Sequence, residues 1–120
     1  MGARVRYFQF RTRRVTAQSE FLSALFEWNR VVDEPDQHIL FDHGGPAEAV
    51  QGDVEYADDD LGGLVVYWEV DDIRATCQKT TELGGRIVMQ PTELVDGAGT
   101  VALIGDPGGN TLGLYQSPAF

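Results

Sequence analysis

The chain has one cysteine, two histidines and nine basic residues among 120, and each shortage excludes something. Cys77 alone cannot close a disulfide within the chain. It falls in a stretch of helical pattern, where a small buried thiol is the ordinary role, and no histidine stands near it to make it a nucleophile. Nine Lys and Arg against 19 Asp and Glu leave a formal net charge of −10. Such a surface repels nucleic acid, whose binding needs phosphate-neutralising cations in excess. No apolar run approaches the roughly 20 residues that span a bilayer, and the opening MGARVRYFQF has neither the apolar core nor the cleavage site of a secretion signal. A cytoplasmic protein with no membrane partner is the expectation. Imidazole is equally scarce. His38 and His43 lie five residues apart on a strand and its end, so a period of two turns them to opposite faces, and they cannot chelate together unless the strand bends. Each alone reads first as a surface or satisfied core histidine, and second as a rescue ligand or general base.

What is present suits one folded domain. Hydrophobic residues make up 42% of the chain, enough to offset chain entropy, and 120 residues support one continuous core. Val5–Phe10 is β-branched or aromatic with polar interruptions and predicts a strand. From Thr16 to Trp28, the residues Phe21, Leu22, Leu25, Phe26 and Trp28 recur at helical spacing and predict an apolar helix face, with Thr16 or Ser19 able to cap it. Short alternating runs at Arg30–Asp33 and His38–Asp42 flank Glu34-Pro35-Asp36 and predict a hairpin. A weaker strand candidate covers Ala47–Val54. The order then recurs: a strand at Leu64–Val70, carboxylates at Asp71-Asp72 where a helix begins, helical spacing through Ile73, Cys77 and Leu83, and a stop at Gly84-Gly85. Arg86–Gln90, Thr100–Gly105 and Thr111–Gln116 are three further strands. Asp106-Pro107-Gly108-Gly109-Asn110 lacks the helix and lysine of a phosphate loop and reads as a turn.

Strand, helix and three strands thus occur twice, a repeat of about 60 residues in which YFQF matches YWEV. Periodicity supports an α+β fold with two helices and about eight strands. Charge is clustered. Asp53, Glu55, Asp58, Asp59 and Asp60 read as a solvated linker. Arg4, Arg6, Arg11, Arg13 and Arg14 read as partners of those acids or of solvent, with an anionic ligand near Arg11, Arg13 and Arg14 as the lesser alternative.

From VYWEVDDI through ELGGRIV to GDPGGNTLGLYQ, the second half resembles the C-terminal module of the vicinal oxygen chelate superfamily, which includes glyoxalase I, bleomycin-resistance proteins and extradiol dioxygenases. The match is good over Leu64–Gln116. RYFQF followed by FLSALFEWNRVV resembles the N-terminal module less closely. The resemblance implies a single glyoxalase-like domain over residues 1–120, with module one at about 1–57 and module two at about 62–117. Two βαβββ modules would form a curled mixed sheet, a cup with two helices outside. It also implies a homodimer. In metal-dependent members of the family, ligands come from the first and last strands of each module. Those positions fall at Val5, at Val65, at Gly113 and at Val50 or Gln51, and no cofactor or metal is expected. Independently of the family, a divalent ion needs three or four His, Cys, Asp or Glu side chains converging on one point.

Strand alternation then names the residues sharing a face with those positions: Tyr7 and Gln9 on the first strand, Tyr67 and Glu69 on the fifth, Thr111 and Tyr115 on the last. The three tyrosines would make an aromatic wall with hydroxyls, or would simply fill a half-buried sheet. Glu69, as the one carboxylate in an apolar setting, should have a raised pKa and serves as the candidate general base or hydrogen-bond anchor. Phe8, Phe10, Val66, Trp68, Val70, Leu112 and Leu114 would pack under the helices, and Arg6 is a misfit on that face. The functional expectation is a metal-free module that binds, and sequesters, an apolar or aromatic small molecule. The alternative is an enzyme of the same superfamily, a lyase, isomerase or dioxygenase, with a displaced metal site or with Glu69 as base. An interaction domain whose cup is filled by its own side chains or by a partner is a third, weaker reading.

Overall fold

The computed structural model describes residues 2–42, 44–46, 50–59 and 63–118. Its elements run β1 (Arg4–Thr12), α1 (Val15–Phe26), β2 (Asn29–Glu34), β3 (His38–Asp42), β4 (Gln51–Tyr56), β5 (Leu64–Glu69), α2 (Ile73–Glu82), β6 (Arg86–Glu93), β7 (Thr100–Gly105) and β8 (Thr111–Gln116). This is the α+β fold expected, with βαβββ repeated. Two compact units divide the chain, Tyr7–Val65 and Met1–Arg6 with Val66–Phe120, called here the first and second modules. No helix among the described residues is long and apolar enough to cross a membrane.

In the first module the strand order is β2-β3-β4-β1, with β4 parallel to β1 and antiparallel to β3. Val15 and Leu22 of α1 bury against Ile39, Phe41 and Val54, with Phe10 and Trp28 packed alongside. This corrects the expected helix face. Leu22 is buried, but Phe21 is 60% and Leu25 57% exposed, and the buried stripe is Val15, Ser19, Leu22. Apolar spacing marks a stripe without saying which stripe meets the strands. Here the small Ser19 sits on the contact line, its hydroxyl satisfied by donating to the Val15 carbonyl at 2.7 Å, a local bond that serine makes readily inside a helix. The cap is also absent. Arg14 occupies the N-cap position without a side-chain bond, while Thr16 donates instead to Asp36.

The second module has the order β5-β8-β7-β6. Ile73 and Cys77 of α2 bury against Ala102, Ile104 and Leu114, flanked by Val70, Ile87 and Leu112. Burial pushes the Cys77 thiol pKa up, which suits an inert core residue. Asp72 caps the helix by accepting from the Ala75 N–H, and Gly84 leaves it at φ 93°, a left-handed turn that glycine takes without a Cβ penalty. β6 runs three residues past its expected end, through Pro91. It lies last in the strand order, and its pairing with β7 shifts register between Met89 and Thr92. An edge strand at an irregularity is where proline's missing donor costs least. The Asp106–Asn110 segment is a turn, closed by Asn110 N–H to Asp106 at 2.7 Å.

Candidate functional site

One side of each module's strands meets its helix, so chemistry is sought on the other side. Alternation and register place Gln9 and Arg11 of β1, His38 of β3, and Gln51, Asp53 and Glu55 of β4 together on that side of the first module. The expected strand over Ala47–Val54 is in fact β4, Gln51–Tyr56; residues 47–49, like His43 and Asp60, lie outside the described residues. The acidic run is therefore not simply a solvated linker. Asp53 is a strand residue only 8% exposed.

Asp53 is the centre of this face. Its Oδ2 lies 2.7 Å from His38 Nε2 and accepts from Gln9 Nε2 at 3.3 Å, while its buried Oδ1 accepts nothing from the described residues. The Asp53 carboxylate raises the His38 pKa above its ordinary value, against partial burial, and Glu55 and Glu34 add to the effect. Glu34 Oε1 stands 3.8 Å from the other ring nitrogen. Glu55 is itself raised, by desolvation first and by the Asp53 charge second. The Asp53 carboxylate thus contributes to both shifts, while burial is the larger cause for Glu55. Arg11 is held bidentately by Asp59 at 2.7 and 2.6 Å, and Arg13 donates to the Asp58 carbonyl, so these arginines bind the acidic run as expected.

On the second module's corresponding side, Tyr67, Val101, Leu103 and Tyr115 are buried. Tyr67 pairs with Gly113 across β5 and β8, and a Cβ on Gly113 would meet the Tyr67 ring at 2.3 to 2.6 Å. The ring occupies the space a side chain at 113 would need. The Tyr115 hydroxyl donates to the Ala98 carbonyl at 2.7 Å. Thr111 is half-buried at the start of β8, and Tyr7 is half-buried on β1. Glu69 bonds to Arg4 at 2.7 Å and accepts from Ser117, with Arg6 3.8 Å away. These partners, Ser117 foremost, lower its pKa. The expected upward shift is thus reversed, because the surroundings are donors and cations rather than an apolar wall. A carboxylate so held has reduced proton affinity. Arg6, the misfit, lays its guanidinium 5.5 Å from the Tyr115 ring centroid.

The structure therefore joins Gln9 to Asp53 and His38, Tyr67 to Gly113, and Glu69 to Arg4 and Ser117. Reading the sequence missed Asp53, because five acids in eight positions resemble a solvated run; the alternation of Asp53 with Gly52 and Val54 was the available signal. Tyr67 opposes Gly113 and Tyr7 opposes Gln51 in equivalent parallel pairings, so of Val50 and Gln51 it is Gln51 that is the register counterpart of Gly113. Val5, Gln51, Val65 and Gly113 offer no carboxylate, thiolate or imidazole, and among the described residues no group of three or more His, Cys, Asp or Glu is placed to hold a metal ion. The donor set does not fit the family's metal.

The sequence model of the Glyoxalase/Bleomycin resistance protein/Dioxygenase superfamily matches residues 4–114. No curated protein matches the chain. Similar solved structures include methylmalonyl-CoA epimerase from Mycobacterium tuberculosis, at 18% identity and TM-score 0.68, covering 97% of this chain and 88% of that one. The Mn(II)-bound glyoxalase from Novosphingobium aromaticivorans is 17% identical with TM-score 0.71, and the match covers 98% of this chain but 41% of that one. A superfamily member from Vibrio splendidus 12B01 is 16% identical with TM-score 0.67, covering 97% and 99%. At these identities the likeness is one of fold.

Proposed function

This chain belongs to the glyoxalase/bleomycin resistance protein/dioxygenase superfamily, and we propose that within it the protein binds an apolar or aromatic small molecule without a divalent metal. The observation that carries this reading is the Tyr67 ring seated over Gly113, one of the positions where the family resemblance puts a metal ligand. Val5, Gln51 and Val65 at the other three positions support it. An enzyme that held a divalent metal at these four positions would need donors that they do not supply. Glu69 as a metal-free base draws no support from its lowered pKa.

Elemental analysis of the purified protein, with melting curves in Zn²⁺, Ni²⁺, Mn²⁺ and Fe²⁺, tests the metal half of the proposal. Substoichiometric metal and unmoved melting are expected; a stoichiometric ion would overturn it. Thermal-shift screening of small aromatic and conjugated compounds tests the binding half, since a ligand that binds only the folded state raises the melting point.

A further inference from the structure

The outward sides of the two helices share a spacing and differ in chemistry. On α2 the exposed residues Arg74, Gln78, Thr81 and Glu82 are polar. On α1 the exposed residues at the same spacing are Ala17, Phe21, Ala24 and Leu25, with Phe21 60% and Leu25 57% exposed. Residues so spaced form one stripe, so α1 carries an apolar stripe outside as well as the Val15, Ser19, Leu22 stripe that meets the strands. A helix apolar on both sides is ordinarily covered on both. The charges at its ends are also reversed. Arg14 stands at the N-cap and Glu27 at the C-cap, where the macrodipole favours an acid and a base respectively. α2 has the favourable order, with Asp72 at its start and Lys79 in its last turn. Arg14 and Glu27 are exposed, and neither has an ion-pair partner among the described residues.

We propose that the outward face of α1 is covered by the same face of a second copy of this chain, the two helices running antiparallel about a twofold axis close to Phe21. Phe21 lies midway between Ala17 and Leu25 and beside the midpoint of Arg14 and Glu27, so one axis serves both patterns. It sets the two Phe21 rings together and places Leu25 of each copy opposite the small Ala17 of the other, as packing of ridges into grooves requires. It also brings the Arg14 end of each helix to the Glu27 end of the other, where each misplaced charge meets an opposite charge and the opposite dipole pole. A parallel arrangement would set like against like. A patch that complements itself in this way is what a twofold dimer needs. At roughly 200 Å² for a large side chain, the exposed parts of Phe21 and Leu25 come to about 240 Å² a copy. The pair is therefore small, below the roughly 1,200 Å² of stable complexes, and Glu20 of each copy flanks the axis and opposes it. A weak, reversible dimer follows.

Sedimentation equilibrium of the whole protein tests this. The average mass should rise from that of one copy towards that of two between about 10 μM and about 1 mM. Phe21→Glu, at an exposed position, should abolish the rise and leave the melting temperature of dilute protein unchanged. Arg14→Asp gives α1 an N-cap and should stabilise the dilute monomer, yet weaken association about tenfold, because each new acid faces Glu27 of the other copy. A chain that stays monomeric up to about 1 mM overturns the proposal and assigns the face to a different partner. A dimer of undiminished strength in Phe21→Glu overturns it too, since the contact then lies on another surface. Should Phe21→Glu fail to fold, Arg14→Asp decides alone, and unchanged association in that variant overturns the antiparallel pairing.

Discussion

The two modules share an order of elements and even a device, a ring laid over a cross-strand glycine, yet they use it on opposite sides of the strands. In the first module Phe8 pairs with Gly52 and a Cβ there would come within 2.2 Å of its ring; Phe8 also packs near Phe10 and Trp28, on the helix side. In the second, Tyr67 covers Gly113 on the other side. The pairings differ by one step along equivalent strands, and one step along a strand exchanges faces. The far face of the second module is thereby filled with an aromatic ring. That of the first keeps Gln9, His38, Asp53 and Glu55. A duplicated plan has buried an apolar cluster of Tyr67, Val101, Leu103 and Tyr115 on that face of the second module, with Glu69 at the strand end, and a polar pair, Gln9 and Asp53, on that of the first.

Gly113→Val attacks the contrast most directly. It forces a branched side chain into the buried Tyr67 ring, and a loss of about 3 kcal/mol in urea unfolding is expected, at the upper end of overpacking costs. A loss below about 1 kcal/mol would mean the ring moves aside easily and that position 113 could accept a ligand after all. Asp53→Ala comes next. Removing one member of a buried pair leaves the other uncompensated, but His38 is partly exposed and solvent screens it, so about 2 kcal/mol is expected.

The same pair should separate the modules by pH. His38 has a folded pKa above its unfolded value, so its stabilisation is complete below the unfolded pKa and fades as pH rises through the folded one. Glu69 has the opposite sign: its folded pKa is lowered, so its contribution is present above the unfolded value and disappears as pH falls through the folded one. Melting temperatures of His38→Gln should lack the alkaline decline, and those of Glu69→Gln should lack part of the acid one.

Helix starts give a smaller contrast. Asp72→Ala should cost about 1 kcal/mol, whereas Arg14→Asp, supplying α1 with the cap it lacks, should add up to about 1 kcal/mol. An equal loss at both would mean that Arg14 stabilises α1 by some other contact. The smallest effect expected is from Glu69→Gln at neutral pH, under about 1 kcal/mol, because its partner Arg4 is mostly exposed.

Much of the fold was legible. Eight strands and two helices follow from period-two and helical runs, and the strongest segments, Leu64–Glu69, Ile73–Glu82, Thr100–Gly105 and Thr111–Gln116, lie within a residue of expectation because turn chemistry brackets them. β4 begins and ends later than the pattern suggests, since Asp53 and Glu55 argue against a strand until their neighbours' burial is known. The site was legible only in part. Alternation points to Gln9 as a lining residue, but the acidic pattern points its partner Asp53 to solvent, and nothing in the local sequence shows that Glu69 meets donors and cations.

The sequence by itself determined the repeat, the α+β class and the want of metal donors at Val5, Val65 and Gly113, because these depend on residue type and local period. Only the tertiary structure decided which helix stripe is buried, that Gln51 is the register counterpart of Gly113, that Tyr67 fills the space over Gly113, and that Asp53 is buried beside His38. Those outcomes depend on strand register and on groups far apart in the chain, where a single-residue step exchanges one face for the other.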